Sequence, residues 1–435
     1  MKKLKKFQRM SQEKGITLVA LVITIIILII LATVAINFAF GNNGLIQRAE
    51  DARDYYANDT SYTDESITNV ESYLDEIING VGSGNGDSGG GDGIPEIPMS
   101  EAKGQEEGFS EKTIVVDNQN NKIVVPEGFK IADDSGDTVQ QGIVIEDVSA
   151  STDTAVQGSQ YVWIPVGSFV NDNGETKEVT LGRYTFADDA NGTATLVQDA
   201  ANYTDQSDGV VINSRYKELV DYREGVVSSG LDGENATAKD LAGFINSAKE
   251  NGGYYIGRYE ASFASGSNVA DYKAASKIST AYRTSSDGSM SYSEGTLWNY
   301  ITELDASRVA INTYVESNSV TSDLMNSYAW DTAIVYIQQA GNTNYANKTR
   351  AHTSLSNTGN LAEGVKDEVC KINDMASNLN EWTTEYSSGT NSSLANPCVL
   401  RGGNFSYSNR YTAYRSYYNA TYSNSSIGFR LSLYL

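Results

Sequence analysis

From Ile16 to Phe40 the chain is apolar except at Thr17, Thr24, Thr33 and Asn37, and a run of this length crosses a bilayer as one helix. Lys2, Lys3, Lys5, Lys6, Arg9 and Lys14 precede it. Cationic residues on that side are expected to stay cytoplasmic, which places everything after Asn42 outside the cell. A secretory signal peptide would show a shorter apolar core and a small-residue cleavage site after it, and neither is visible. The segment reads as an anchor.

Beyond the anchor the chain divides by composition. Ile46, Ala49, Ala52, Tyr56, and then Ile67, Val70, Leu74 and Ile77, recur at helical spacing and predict a stalk helix over 41–78, interrupted near Asn58 to Thr63. Residues 79–110 open with a stretch rich in Gly, Ser and Asp that buries no apolar surface and is expected to be a flexible linker. From 111 to 435, short apolar runs alternate with turn-rich segments. Ile114 to Val116, Ile123 to Val125, Gly142 to Ile145, Tyr161 to Val166 and Tyr254 to Tyr259 read as strands. Ala238 to Glu250 and Ser322 to Gln339 read as helices, so the expected class is α+β.

A net charge of -23 argues against nucleic acid as a partner, since phosphate binding needs clustered Lys and Arg and the one such cluster lies at the N-terminus. His352 is the single histidine, and with Cys370 and Cys398 it leaves too few ligands for zinc, iron or haem. Catalysis by a histidine base is poorly supplied for the same reason. The most unusual stretch is 404–426, where Asn, Tyr, Ser and Thr fill most positions and neither an acid nor a lysine occurs. Tyrosine gives large, rigid, amphipathic contact area and Ser and Asn give adaptable hydrogen bonds, as in antibody paratopes. Such a stretch is expected to bind something.

Lys14-Gly15-Ile16-Thr17-Leu18-Val19-Ala20-Leu21 resembles the leader junction of type IV prepilins and pseudopilins. The resemblance implies a leader at 1–15, a pilin-type transmembrane helix at 16–40, and a membrane prepilin peptidase as partner that cuts between Gly15 and Ile16. It also implies a bacterial cell membrane as location, single-pass, with the head extracellular and incorporation into a pilus-like filament open. The family usually carries glutamate at the fifth mature position, where this chain has Ala20, and that departure bears on filament assembly.

Within the head, three segments resemble the formylglycine-generating enzyme or sulfatase-modifying factor family, an elaborated C-type lectin fold. They are Tyr161-Val162-Trp163-Ile164-Pro165-Val166 with Tyr255-Ile256-Gly257-Arg258-Tyr259-Glu260; Asp374-Met375-Ala376-Ser377-Asn378-Leu379-Asn380-Glu381-Trp382-Thr383; and Val399-Leu400-Arg401-Gly402-Gly403 through Gly428-Phe429-Arg430. Ser377 stands where glycine is usual and Asn380 where tryptophan is usual. The implied architecture is a C-type lectin-like head on an N-terminal transmembrane and stalk α-helix. The family's oxidases place a copper-bound cysteine pair just after the Arg-Gly-Gly strand, whereas this chain has Phe405 to Tyr411 with no cysteine. A hydroxyl or phenol of much higher pKa does not replace a thiolate there, so enzymatic activity is not expected, nor is copper, iron or haem.

Relatives of this fold also occur as variable proteins of diversity-generating retroelements, in which a window between Arg-Gly-Gly and Gly-Phe-Arg is rewritten. That resemblance implies a variable contact set of Asn404, Ser406, Tyr407, Asn409, Tyr411, Tyr414, Tyr417, Tyr418, Asn419, Tyr422 and Asn424, facing an extracellular protein or glycan. The enzyme family further implies a structural calcium held by Asp374 and Glu381 side chains and Ser377 and Leu379 carbonyls, oxygen donors of the kind that ion prefers. Cys370 and Cys398 flank the loop and strand leading into the window. They either form a disulfide worth on the order of 3 kcal/mol or remain two separate thiols. The leading expectation is thus a surface-anchored adhesin or receptor. The rivals are a sulfatase-modifying type oxidoreductase and a structural minor pilin.

Overall fold

The computed structural model describes residues 94–435 except 198–201, 205–210, 214–215, 219–240, 286–291, 352, 360–366 and 388–397. The leader, the apolar run, the stalk and most of the linker therefore lie outside the described residues, as does His352. Among the described residues no helix is long and apolar enough to cross a membrane.

The described part is mostly β with few helices. The elements that place the site are β1 (Phe129–Ile131), β2 (Val144–Asp147), β3 (Gln160–Pro165), α1 (Leu241–Glu250), β4 (Gly253–Gly257), α2 (Glu303–Thr313), β5 (Thr321–Leu324), α3 (Ser327–Gln339), β6 (Asn380–Ser387), β7 (Cys398–Arg401), β8 (Arg415–Tyr418), β9 (Ile427–Phe429) and β10 (Leu431–Tyr434). A six-stranded sheet runs β5-β10-β4-β3-β2-β1, antiparallel at every pairing. Its centre is legible in the sequence. Tyr161, Val162, Trp163 and Ile164 are all buried, as a continuous apolar run covered on both faces should be.

The second sheet has five strands. It contains Tyr216–Glu218, β6, β7 and β8 in that order, with β9 alongside β6 in parallel. The chain leaves this sheet at Phe429, passes Arg430 and enters the first sheet between β5 and β4 as β10. Arg430 locks the joint. Its Nε and Nη2 donate to the two Glu381 carboxylate oxygens at 3.1 and 2.7 Å, and Nη1 and Nη2 reach the carbonyls of Gly257 and Asn373 at 2.8 and 2.7 Å.

The expected helix over Ser322 to Gln339 is corrected at its start. Thr321 to Leu324 pair with Tyr434 to Leu431 as an edge strand, and helix α3 begins only at Ser327. The switch lies at Asn326, whose extended backbone and side-chain oxygen cap the helix by accepting from the Ala329 N–H at 2.8 Å. Ten residues of α3, from Ser327 to Ile337, are buried. The expected strands all occur, with ends shifted by a residue or two, and the helix expected from Ala238 is described from Leu241. Trp163, Trp298, Trp330 and Trp382 are buried in the core as large aromatic residues usually are.

Candidate binding surface

The segment 404–426 rests on a buried ionic platform. Arg401 in β7 reaches Asp331 of α3 at 2.5 Å and Glu385 of β6 at 3.0 Å, and Arg415 in β8 reaches the same two acids at 2.7 and 3.0 Å. Arg183 adds a contact to Glu385 at 2.9 Å. Burial alone would raise the Glu385 pKa, yet Arg415, Arg401 and Arg183 outweigh it and bring the carboxyl down to about 2. The platform ties the two strands flanking the first loop to a helix and to a neighbouring strand.

Arg401-Gly402-Gly403 then turns the chain. Gly402 has φ +79°, and a Cβ on it would meet the Met375 carbonyl oxygen at 2.5 Å, while a Cβ on Gly403 would collide with the Ala376 carbonyl. Only glycine fits so close to the 374–380 loop. That loop in turn reaches back, since the Asn378 carbonyl accepts from the Phe405 N–H at 3.0 Å.

Asn404 is fully buried and does not belong to a contact surface. Its Oδ1 accepts from the N–H groups of Ser406 and Tyr407 at 2.9 and 3.0 Å, an Asx turn, and its Nδ2 donates to Asn380 Oδ1 at 2.5 Å. This corrects its place in the expected contact set. Asn380 is the hub of the loop, accepting also from Arg410 Nη1 and donating to the Gly402 carbonyl.

The loop is braced from its other side by 345–350. Thr412 and Ala413 N–H groups donate to the carbonyls of Lys348 and Ala346 at 3.0 Å each, and Trp330 Nε1 donates to the Thr412 carbonyl at 3.0 Å. Arg350 Nη1 holds the Phe405 carbonyl at 2.6 Å. On this frame Ser406, Tyr407, Ser408 and Asn409 are exposed, Tyr407 to 50%. The Arg410 guanidinium lies 4.2 Å from the Tyr407 ring centre and 5.2 Å from that of Tyr414, a cation held between two aromatic faces.

From Tyr417 onward the remaining candidates are half-buried. Tyr418 and Tyr422 stack at 4.3 Å with an 8° interplanar angle, and both pack on the core. Tyr417 leans on Val399. Asn419 accepts from the Thr421 N–H at 3.1 Å, and Asn424 from the Ser426 N–H at 3.2 Å, so each shapes its own turn. The exposed side chains of the loop are therefore those of 406–409, with Arg410, Tyr411 and Tyr414 half-buried beside them. Arg410, Arg350 and Ser408 stand among or beside them and were not in the expected set. A search for the Asn, Tyr and Ser alphabet passes over arginine.

The expected calcium ligands do not fit that ion. Both Glu381 oxygens are taken by Arg430, whose positive charge opposes a cation beside them. Asp374 Oδ2 accepts from Thr358 Oγ1 and the Gly359 N–H at 3.1 and 3.0 Å. Burial, and then the charge of Asp367, push the Asp374 carboxyl up to about 7. Among the described residues no group of three or more His, Cys, Asp and Glu is placed to hold a metal.

Cys370 and Cys398 are separate thiols, which settles the open alternative against a bridge. Cys370 occupies the turn between Val369 and Ile372, with Asn342 at 4.0 Å, whereas Cys398 starts β7 beside Glu303 of α2 at 3.7 Å. Burial pushes the Cys370 thiol up to about 12 and raises that of Cys398 further above its ordinary value, the Glu303 charge adding to the second. Neither is an activated nucleophile.

No family model matches the chain and no curated protein does. Among solved structures, the crystal structure of CarF aligns with 13% identity over 42% of this chain and 87% of that one, at a TM-score of 0.29. The Major Tropism Determinant P3c variant aligns with 13% identity over 78% of this chain and 98% of its own, at 0.26. The M1 variant aligns with 12% identity over the same shares, 78% and 98%, also at 0.26. Alignments this loose carry no weight for fold or role.

Proposed function

We propose that this protein is a surface-displayed binding module, with a C-type lectin-like head that presents 406–411 and Tyr414 to an extracellular protein or glycan. The observation that carries this reading is a contrast within one segment. The backbone of 404–415 is pinned by Asn404, Asn380, Arg401 and Arg415, while Tyr407, Ser408 and Asn409 stand out from it. Rigid aromatic and amide side chains on a fixed frame lose little conformational freedom on binding.

The display apparatus in this proposal is the apolar run 16–40, with Gly15 and Ile16 as the processing site and the glycine-rich stretch as tether. Mass spectrometry of the mature chain checks it: an N-terminus at Ile16 is the expected result, and an intact leader sinks it. Diversification of 404–426 by a retroelement belongs to the same proposal. It requires a near copy of the gene's 3′ end differing only at adenines, beside a reverse transcriptase gene.

Binding is tested with the full-length protein in nanodiscs on arrays of extracellular proteins and glycans, against the variant Tyr407→Ala/Tyr414→Ala. The variant is expected to lose at least tenfold in affinity with an unchanged melting temperature, each aromatic anchor being worth 1 kcal/mol or more, roughly. Retention of every signal by the variant would place recognition elsewhere.

A further inference from the structure

A second polar cleft lies on a different part of the head. It is formed by the hairpin of Gly167–Val170 with Thr176–Val179, the loop between Tyr184–Phe186 and Ala194–Leu196, and the C-terminal end of α3 with the residues after it. Its volume is about 520 Å³, within the range of small-molecule sites.

Three amides hold its walls. Gln140 Nε2 donates to the Ala340 carbonyl at 3.1 Å and its Oε1 accepts from the Asp172 N–H at 2.6 Å, tying the helix end to the first hairpin. Asn171 Oδ1 accepts from the N–H groups of Asn173 and Glu175 at 3.0 and 2.8 Å. Gln338 Nε2 faces the carbonyls of Asn191, Gly192 and Thr343 at 2.9, 2.9 and 2.6 Å, which fixes which end of the amide is nitrogen. That leaves Gln338 Oε1 buried with no donor.

Between these braced walls Asn173, Asn191, Gln339 and Thr343 line the cleft with exposed polar side chains that make no hydrogen bond among the described residues. Glu175 and Lys177 are the charged lining residues, and they pair with each other at 2.8 Å. A carboxamide both donates and accepts, as a sugar hydroxyl does, so the lining matches a ligand that is dense in hydroxyls and carries no net charge. The apolar lining is limited to Val335, Ala194 and Ala340, which offers no deep pocket for a peptide side chain.

We infer that this cleft binds a short segment of neutral oligosaccharide. The site is separate from the tyrosine surface and does not depend on it.

The test uses the full-length protein in a detergent without a sugar head group, probed on an array of neutral hexose and N-acetylhexosamine oligosaccharides with uncharged peptides printed alongside. The expected result is retention on neutral glycans that falls at least tenfold in Asn191→Ala/Gln339→Ala and persists in Tyr407→Ala/Tyr414→Ala. Thr343→Val, altered at a third exposed position, is expected to weaken the same signals, which covers the case of a misfolded double variant. The inference is overturned by the absence of neutral-glycan retention, by retention that these variants leave intact, by loss in the tyrosine variant, or by retention on the peptides alone.

Discussion

Asn404 and Tyr407 sit three residues apart and answer to different forces. The Asn404 amide closes the turn that begins its own loop and joins it to Asn380, so Asn404→Ala leaves two N–H groups without their acceptor and takes from Asn380 Oδ1 one of its two donors, the other being Arg410. A loss of about 1–3 kcal/mol is expected, read as a lower midpoint in urea. Tyr407→Ala removes a half-exposed ring and is expected to leave that midpoint within about 0.5 kcal/mol. A pair of equal effects would mean that the loop is not organised through Asn404. The composition of 404–426 marks the segment as a surface, but it does not say which asparagine points inward. That is decided by Asn380, which lies 24 residues away along the chain. The same holds for Arg410, which donates to Asn380, 30 residues away along the chain.

At the scale of elements, β6, β7, β8 and α3 are fastened by one ionic platform. Glu385→Gln takes away the charge that faces Arg401, Arg415 and Arg183 while keeping the shape, and is expected to cost about 3–5 kcal/mol because cations are left buried together. Chemical denaturation measures it, and a change below about 1 kcal/mol would show that the arginines find water. Gly403→Ala tests the same region through packing. Its Cβ would strike the Ala376 carbonyl, so strain is expected to lower stability by about 1–3 kcal/mol. These elements were unevenly legible in the sequence. Strand β3 announces itself by an apolar run buried on both faces, and the turn after β7 by its paired glycines. The start of α3 was obscured, because Ser322 to Leu324 satisfy a helical spacing as well as an extended one. Their strand pairing is with Leu431 to Leu433, far along the chain and invisible to a local window. Which acids receive Arg401, Arg415 and Arg183 is decided by the sheet order and is not visible in the local sequence.

For the molecule as a whole, stability should depend on pH through acids held protonated in the fold. Burial raises Asp147 from 3.8 to about 6, against the hydrogen bond it accepts from Tyr314. The folded state therefore keeps a proton that the unfolded chain gives up between those values, so this group's contribution is complete below pH 3.8 and is lost as pH rises toward 6. Asp374, raised to about 7, acts in the same direction over a wider window. The melting temperature is expected to fall between pH 5 and pH 7, and in Asp147→Asn the accompanying loss of unfolding free energy is expected to be smaller by about 1 kcal/mol per pH unit across the part below 6. Thermal scans of both proteins at pH 5, 6 and 8 check it; a variant with the slope of the parent would remove Asp147 from the account. A last consequence comes from the interior arginines. Because Arg401 and Arg415 find their partners in α3 and β6, the exposed residues 406–409 take no part in the ionic platform. Substitution at 406–409 is therefore expected to leave foldability alone, and that licence ends at Asn404, Arg410, Asn419 and Asn424, whose side chains shape the chain itself.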